Sequence, residues 1–266
     1  MRGRAKSRPQ VPLLGRDSLA AMRRAGRLAA ATLDMIGAEV ATGVETDRLD
    51  TLCHDFIRDH GARPAPLGYQ GYPRATCISV GEVVCHGIPG PRRLAEGDIV
   101  NIDVTVVLDG WYGDTSRMYW VGATSEAARR LCQVTFEALW RGIRAVRPGA
   151  TLGDLGHAVQ AHAEAHGCSV VRDYCGHGIG RRFHQPPTVL HHGKPGRGMS
   201  LEPGMSFTIE PMLNLGGHEV DVLEDGWTVI TRDASLSAQF EHTVVVTETG
   251  VEVMTLSPEG QHHPPW

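Results

Sequence analysis

Two decapeptides in this 266-residue chain carry the same pattern. L-A-E-G-D-I-V-N-I-D, residues 94 to 103, and L-E-P-G-M-S-F-T-I-E, residues 201 to 210, align at one constant offset: Leu94 with Leu201, Gly97 with Gly204, Ile102 with Ile209 and Asp103 with Glu210. Each reads as a turn glycine followed by a strand that ends in a carboxylate. A duplicated unit restricts the fold strongly, because each half must bring its carboxylate to a shared centre. The length admits two small domains or one large one, and a 41% hydrophobic content supports a well-buried core. The expectation is one domain with two pseudo-equivalent halves.

Within the first repeat, alternation puts Asn101, Asp103 and Thr105 on one strand face and Val100, Ile102 and Val104 on the other, so the Asp103 carboxylate is aimed at something. Asp114, His177, Glu210 and Glu241 follow along the chain. An isolated acid at a strand end is commonly solvated or ion-paired, and the repeat is what sets this group apart. Four carboxylates and one imidazole, with no thiolate, suit a pair of divalent ions (Mn, Fe, Co or Zn) better than a structural cysteine-rich zinc site. The implied chemistry is hydrolysis by a metal-bound water.

Apolar spacing predicts helices over residues 18 to 36, 47 to 60, 125 to 146 and 151 to 166. In the second, Leu49, Leu52, Cys53, Phe56 and Ile57 make one stripe, with Gly61 as a stop; the third is closed by Pro148 and Gly149, and Thr151 and Asp154 open the fourth as a capping pattern. The order is two helices, strands, two helices, strands, an α+β layered arrangement spanning residues 18 to 256. Before it, Arg2, Arg4, Lys6 and Arg8 make residues 1 to 17 a basic, flexible tail, and Val11 to Leu14 is too short for a signal-peptide core. After it, residues 257 to 266 read as an unstructured tail with His262 and His263 solvated.

A net charge of −4 and pI near 6.4 provide no general field for nucleic acid, so no specific DNA partner is expected. No apolar run approaches a membrane span. Six cysteines without a C-x-x-C pair read as reduced thiols in a cytoplasmic protein. Gly176 to Gly180, G-H-G-I-G, lacks the spacing of a dinucleotide fingerprint. His191, His192 and His242 are taken as structural or solvated.

Five segments together resemble the type I methionine aminopeptidase family: residues 66 to 89 (P-L-G-Y-Q-G-Y-P through V-C-H-G-I-P), 101 to 117 (N-I-D-V through D-T-S-R), 175 to 187 (C-G-H-G-I-G-R-R-F-H-Q-P-P), 207 to 211 (F-T-I-E-P) and 240 to 244 (F-E-H-T-V). The likeness runs from about Ser18 to about Met254, and the short stretch between His184 and Glu210 favours type I over type II, which carries a helical insertion there. It implies the pita-bread fold, a curved antiparallel sheet with paired helices outside. It also implies removal of the initiator methionine from nascent polypeptides with a small second residue, by attack of a metal-bridging hydroxide on the first carbonyl.

By the same resemblance Asp114 and Glu241 bridge two metals, Asp103 chelates one, and His177 and Glu210 complete the other, with Glu210 as general base and then acid. His184 contacts the scissile carbonyl oxygen and His86 the leaving nitrogen. Tyr69, Tyr72, Cys77, Phe183 and Trp227 line an apolar methionine pocket. Pro66 stands where relatives often carry Cys. Gly81 replaces an Asn near a monovalent-cation site, which could still be built from backbone carbonyls. The expected partners are nascent-chain N-termini, with transient ribosome contact as a use for the basic tail, and the chain is expected to act as a monomer. A proline-directed peptidase of the same fold is disfavoured by the lack of a separate N-terminal domain and by the Tyr-rich segment at 66 to 73. A non-catalytic binding protein on this scaffold would need a broken ligand, and none is broken.

Overall fold

The computed structural model describes residues 11–264. Two helices come first, α1 (Arg16–Gly37) and α2 (Thr46–Asp59), followed by five strands: β1 (Arg63–Pro64), β2 (Cys77–Val80), β3 (Val83–Cys85), β4 (Ile99–Leu108) and β5 (Trp111–Trp120). A second helix pair, α3 (Glu126–Ala145) and α4 (Leu152–Ala165), leads into β6 (Ser169–Val170), β7 (Gly176–Gly178), β8 (Gln185–Val189) and β9 (Ser206–Ile209). The remaining strands are β10 (Met212–Asn214), β11 (Val220–Val222), β12 (Val229–Thr231), β13 (Ser237–Gln239), β14 (Glu241–Val246) and β15 (Val251–Val253).

The four helices form where the apolar spacing places them, each boundary shifting by only one or two residues. α2 buries Leu49, Cys53 and Ile57 on one stripe and ends before Gly61, whose φ of +73° is open to glycine at little steric cost. Ser125 caps α3 by accepting from the Ala128 N–H, and Thr151 and Asp154 make a reciprocal capping box on α4.

A curled antiparallel sheet runs β1-β4-β5-β14-β9-β7-β8, with β2 also on β4 and β15 also on β14. Its two halves are covered by different helix pairs. On one, Val100, Ile102, Val104 and Val106 of β4 pack against Leu33, Ile36 and Leu49 of α1 and α2. In the other half, Phe207, Ile209 and Val244 pack against Leu131, Leu139, Ile143, Leu155 and Val159 of α3 and α4. Each such side chain, fully buried, contributes about 1.5–3 kcal/mol. With both helix pairs on the outer face, the polar face of β4, β5, β14, β9 and β7 is left to line a hollow.

The repeat is visible in the backbone: Gly97 and Gly204 take φ of +92° and +90°, the turn conformation each copy needs before its strand. The reading that each strand ends in its carboxylate holds for only one copy. Glu210 directly follows β9, but Asp103 sits midway along β4, because the β4–β5 hairpin continues past the centre to a turn at Asp109 and Gly110.

The tails also differ from expectation. Residues 1–10, which carry the four basic side chains, lie outside the described residues. The helix starts at Arg16, and the Leu14 N–H donates to the Gly204 carbonyl at 2.8 Å, so the stretch before it is joined to the body. At the other end, Ser257 is buried and donates to Asp34 at 2.8 Å, and Arg117 bonds both Asp34 (2.9 Å) and Gln261 (3.0 Å). A buried ion pair needs its remaining donors and acceptors satisfied, and the C-terminal segment supplies them. Among the described residues no helix is long and apolar enough to cross a membrane. Cys53, Cys77, Cys85, Cys132, Cys168 and Cys175 are all free thiols.

Candidate metal centre

Strand register gathers the five predicted ligands. Cys77 of β2, Asp103 of β4, Ser116 of β5 and Glu241 of β14 are cross-strand partners in one row, so their side chains share a face. Asp114 lies two residues from Ser116 on the same face and pairs with Thr105, whose hydroxyl donates to it at 2.7 Å. His177, in β7, has its N–H bonded to Thr208 Oγ1 (3.0 Å), and the same hydroxyl donates to Glu210 at 2.6 Å. Gly176 and Gly178 beside it are required by space: a Cβ on either would meet a backbone oxygen at 2.3 or 2.1 Å.

One ligating atom each from Asp114, His177 and Glu241 lie within 4.8 Å of one another. His177 Nε2 is 3.5 Å from Asp114 and 3.8 Å from Glu210. Asp103 Oδ1 and Glu241 Oε1 are buried with no hydrogen-bond partner among the described residues. Burial, then the negative charge of Asp114 and Glu210, pushes the Asp103 and Glu241 carboxyls well above their usual range, and burial lifts Glu210 to about 7. Burial alone would depress the His177 imidazole, but its bond to Asp114 and the charges of Glu210 and Asp114 outweigh that and raise it. Carboxyl groups crowded in one hollow fit divalent cations: positive charge there would relieve the repulsion, favour the ionised forms and satisfy the orphaned oxygens.

The centre opens into a cavity of about 380 Å³, lined by all twelve residues singled out in the sequence and by Pro66. Tyr69 packs on Phe183 (4.9 Å between centroids) and shares a hydrogen bond with His184 Nδ1 at 2.9 Å. Tyr72 and Trp227 meet edge to face at 5.1 Å, and the Tyr72 hydroxyl is tied to the Thr76 and Gly87 carbonyls at 3.0 Å each. Burial lowers the pKa of both catalytic candidates, His86 and His184, the latter to about 4, so both are neutral at pH 7. His86 also takes φ of +56°, a strained conformation for a non-glycine residue, directly beside the cavity. Gly81 has φ of +69°, and its carbonyl accepts from Ser237 N–H.

Several lining residues were not anticipated. Gln239 lies two positions from Glu241, so alternation could have found it, just as it placed Thr105 on the face of Asp103. Cys85, Tyr174 and Met212 also line the cavity, but nothing local signals them. His191, taken as structural, is fully buried and its Nε2 accepts the backbone N–H of Glu210 at 2.9 Å.

The model of metallopeptidase family M24 matches residues 20–248. The methionine aminopeptidase of Rickettsia prowazekii is 57% identical over 246 residues, spanning 92% of this chain and 95% of that protein. The Escherichia coli methionine aminopeptidase is 53% identical over 242 residues, 90% of this chain and 92% of that one. The crystal structure of the Rickettsia prowazekii enzyme superposes with a TM-score of 0.92 at 55% identity, covering 93% and 100% of the two chains. A prolidase from Pyrococcus horikoshii, 20% identical, gives a TM-score of 0.74 over 92% of this chain and 63% of its own, a likeness of the pita-bread fold alone.

Proposed function

The chain belongs to metallopeptidase family M24, and from that premise we propose that it is a methionine aminopeptidase that removes the initiator methionine from nascent polypeptides whose second residue is small. The observation that carries this reading is the contact between an apolar aromatic-lined pocket and a centre of four carboxylates and one imidazole in a single cavity. The pocket suits a thioether side chain, and sulfur against aromatic edges is favourable by roughly 0.3–1.5 kcal/mol.

Two divalent ions of the Mn, Fe, Co or Zn kind would be held by Asp103, Asp114, His177, Glu210 and Glu241. Bound there, they supply Lewis acidity that polarises a carbonyl and acidifies water. Glu210 accepts the proton of the attacking water and delivers it to the leaving amine. Neutral His184 donates a hydrogen bond to the scissile carbonyl oxygen, its orientation held by Tyr69. His86 contacts the leaving nitrogen. Tyr72, Trp227 and Phe183 bind the methionine side chain and exclude water from it. A monovalent cation near Gly81 would use backbone carbonyls. The enzyme is read as a monomer, and contact of Arg2, Arg4, Lys6 and Arg8 with ribosomal RNA is a secondary reading beside a tail with no partner.

The test is hydrolysis of Met-Ala-Ser against Ala-Pro-Ala by the purified chain, with and without chelator. Cleavage of the first, lost with chelator and restored by added metal, is expected. Preferential cleavage of Ala-Pro-Ala would replace this reading with a proline-directed one.

A further inference from the structure

Metal-ligating side chains converge a second time, on the outer helix pair and away from the hollow. Glu137 of α3, His162 of α4 and His166, the residue that ends α4, each offer one ligating atom, and the three atoms lie within 4.8 Å of one another. His162 and His166 are one helical turn apart, with ring centroids separated by 4.3 Å, the spacing at which two imidazoles on one helix face chelate a single ion.

Each donor is already prepared for an ion. His162 Nε2 is buried and lies 3.1 Å from Glu137 Oε2. The carbonyl of His162 accepts the Nδ1–H of His166 at 2.8 Å, which fixes that ring's tautomer and leaves Nε2 with its lone pair free. Glu137 Oε1 is held by Gln133 at 2.8 Å, so the carboxylate is anchored by one oxygen and presents the other.

We propose that Glu137, His162 and His166 form an accessory divalent-metal site that clamps α3 to α4. Two imidazoles and one carboxylate favour zinc, nickel or copper(II) over magnesium or calcium, and three protein ligands leave a position for water. Metal–ligand bonds of ~2.0–2.2 Å place tetrahedral donors closer together than 4.8 Å, so the three side chains draw together on binding. The trio shares no residue with the hollow. An ion that binds only the packed helix pair stabilises the fold without entering the reaction.

The test uses the full-length enzyme with its catalytic centre already loaded, titrated with nickel or zinc alone and analysed for bound metal after gel filtration. The wild type should bind one equivalent more than His166→Ala or His162→Ala, and its thermal midpoint should rise by several degrees with metal while those of the variants do not. Glu137→Gln, which keeps both imidazoles, should weaken the extra equivalent at least tenfold. Peptide turnover at equal catalytic loading should be the same in all four proteins. His166→Ala removes a partly exposed side chain, so it reports on binding even if His162→Ala folds poorly. Equal stoichiometry in wild type and His166→Ala, or an extra equivalent that disappears with His262 and His263 instead, overturns the proposal and leaves the trio an ordinary ion pair with a stacked neighbour.

Discussion

The N–H of Glu210 donates to His191 Nε2 across 2.9 Å, just past the end of β9, where strand pairing no longer supplies an acceptor. His191 is fully buried, and burial depresses its pKa to about 3, so the ring is neutral and available as an acceptor. The imidazole therefore fixes the backbone from which the Glu210 carboxylate projects. His191→Leu leaves that N–H unsatisfied and should cost about 1–3 kcal/mol of stability. It should also lower kcat while KM changes little. Denaturant unfolding and steady-state kinetics check both, and a variant with wild-type kcat and unchanged stability would remove His191 from this role.

Asp114→Asn and Glu241→Gln should act with opposite signs on metal and on the metal-free fold. Each removes a donor, so bound metal and turnover should fall together. Asp114→Asn removes one of several crowded carboxylates, and Glu241→Gln a carboxyl whose ionisation burial and those neighbours oppose; for scale, two unit charges 4 Å apart in an effective dielectric of 20 repel by roughly 4 kcal/mol. In chelator, both variants should thus be more stable than wild type by one to a few kcal/mol. Elemental analysis and chemical denaturation in chelator read the two effects; near-normal turnover at saturating metal would contradict the ligand assignment.

Glu210 gives the metal-free protein a defined pH dependence. Its folded pKa, about 7, lies above the ordinary 4.5 because burial disfavours the anion. A carboxyl raised on folding contributes stability that is fully present below 4.5 and is lost as pH rises through 7. Glu210→Gln removes that loss, so its stability relative to wild type should increase across this window, by at most on the order of 3 kcal/mol. Its turnover should fall by roughly 10²–10⁴-fold. Unfolding curves in chelator at successive pH values test the sign, and a flat difference would show that Glu210 ionises there as an ordinary carboxyl.

Peptide choice should separate the two ends of the cavity. A hydrophobic pocket discriminates by only about 1–3 kcal/mol per methylene, so norleucine should replace methionine at the first position. Met-Ala-, Met-Gly- and Met-Ser- peptides should be cleaved well, and Met-Leu-, Met-Lys- and Met-Phe- peptides poorly, through a lower kcat/KM. Phe183→Ala or Trp227→Ala should blur the first-residue preference more than the second. Equal processing of Met-Lys- and Met-Ala- would instead describe a broad aminopeptidase.

Local chemistry determined much of this protein without reference to the fold. Strand alternation set Asn101, Asp103 and Thr105 against Val100, Ile102 and Val104, and helical spacing put Leu49, Cys53 and Ile57 on one stripe, because both periodicities are properties of the backbone itself. The paired glycines Gly97 and Gly204 revealed the duplication for the same reason: their turn needs φ near +90° in each copy. Tertiary structure decided what depends on distance. Only the sheet register sets Cys77, Asp103, Ser116 and Glu241 in one row. Likewise, only packing brings His191 to Glu210, and only burial raises Glu210 to about 7. The C-terminal segment, with no apolar pattern of its own, is ordered because Asp34 and Arg117, distant in sequence, are buried as an ion pair whose remaining hydrogen bonds Ser257 and Gln261 complete. Such contacts leave no trace in any short window of sequence, since each partner is polar, ordinary and satisfied only by the other.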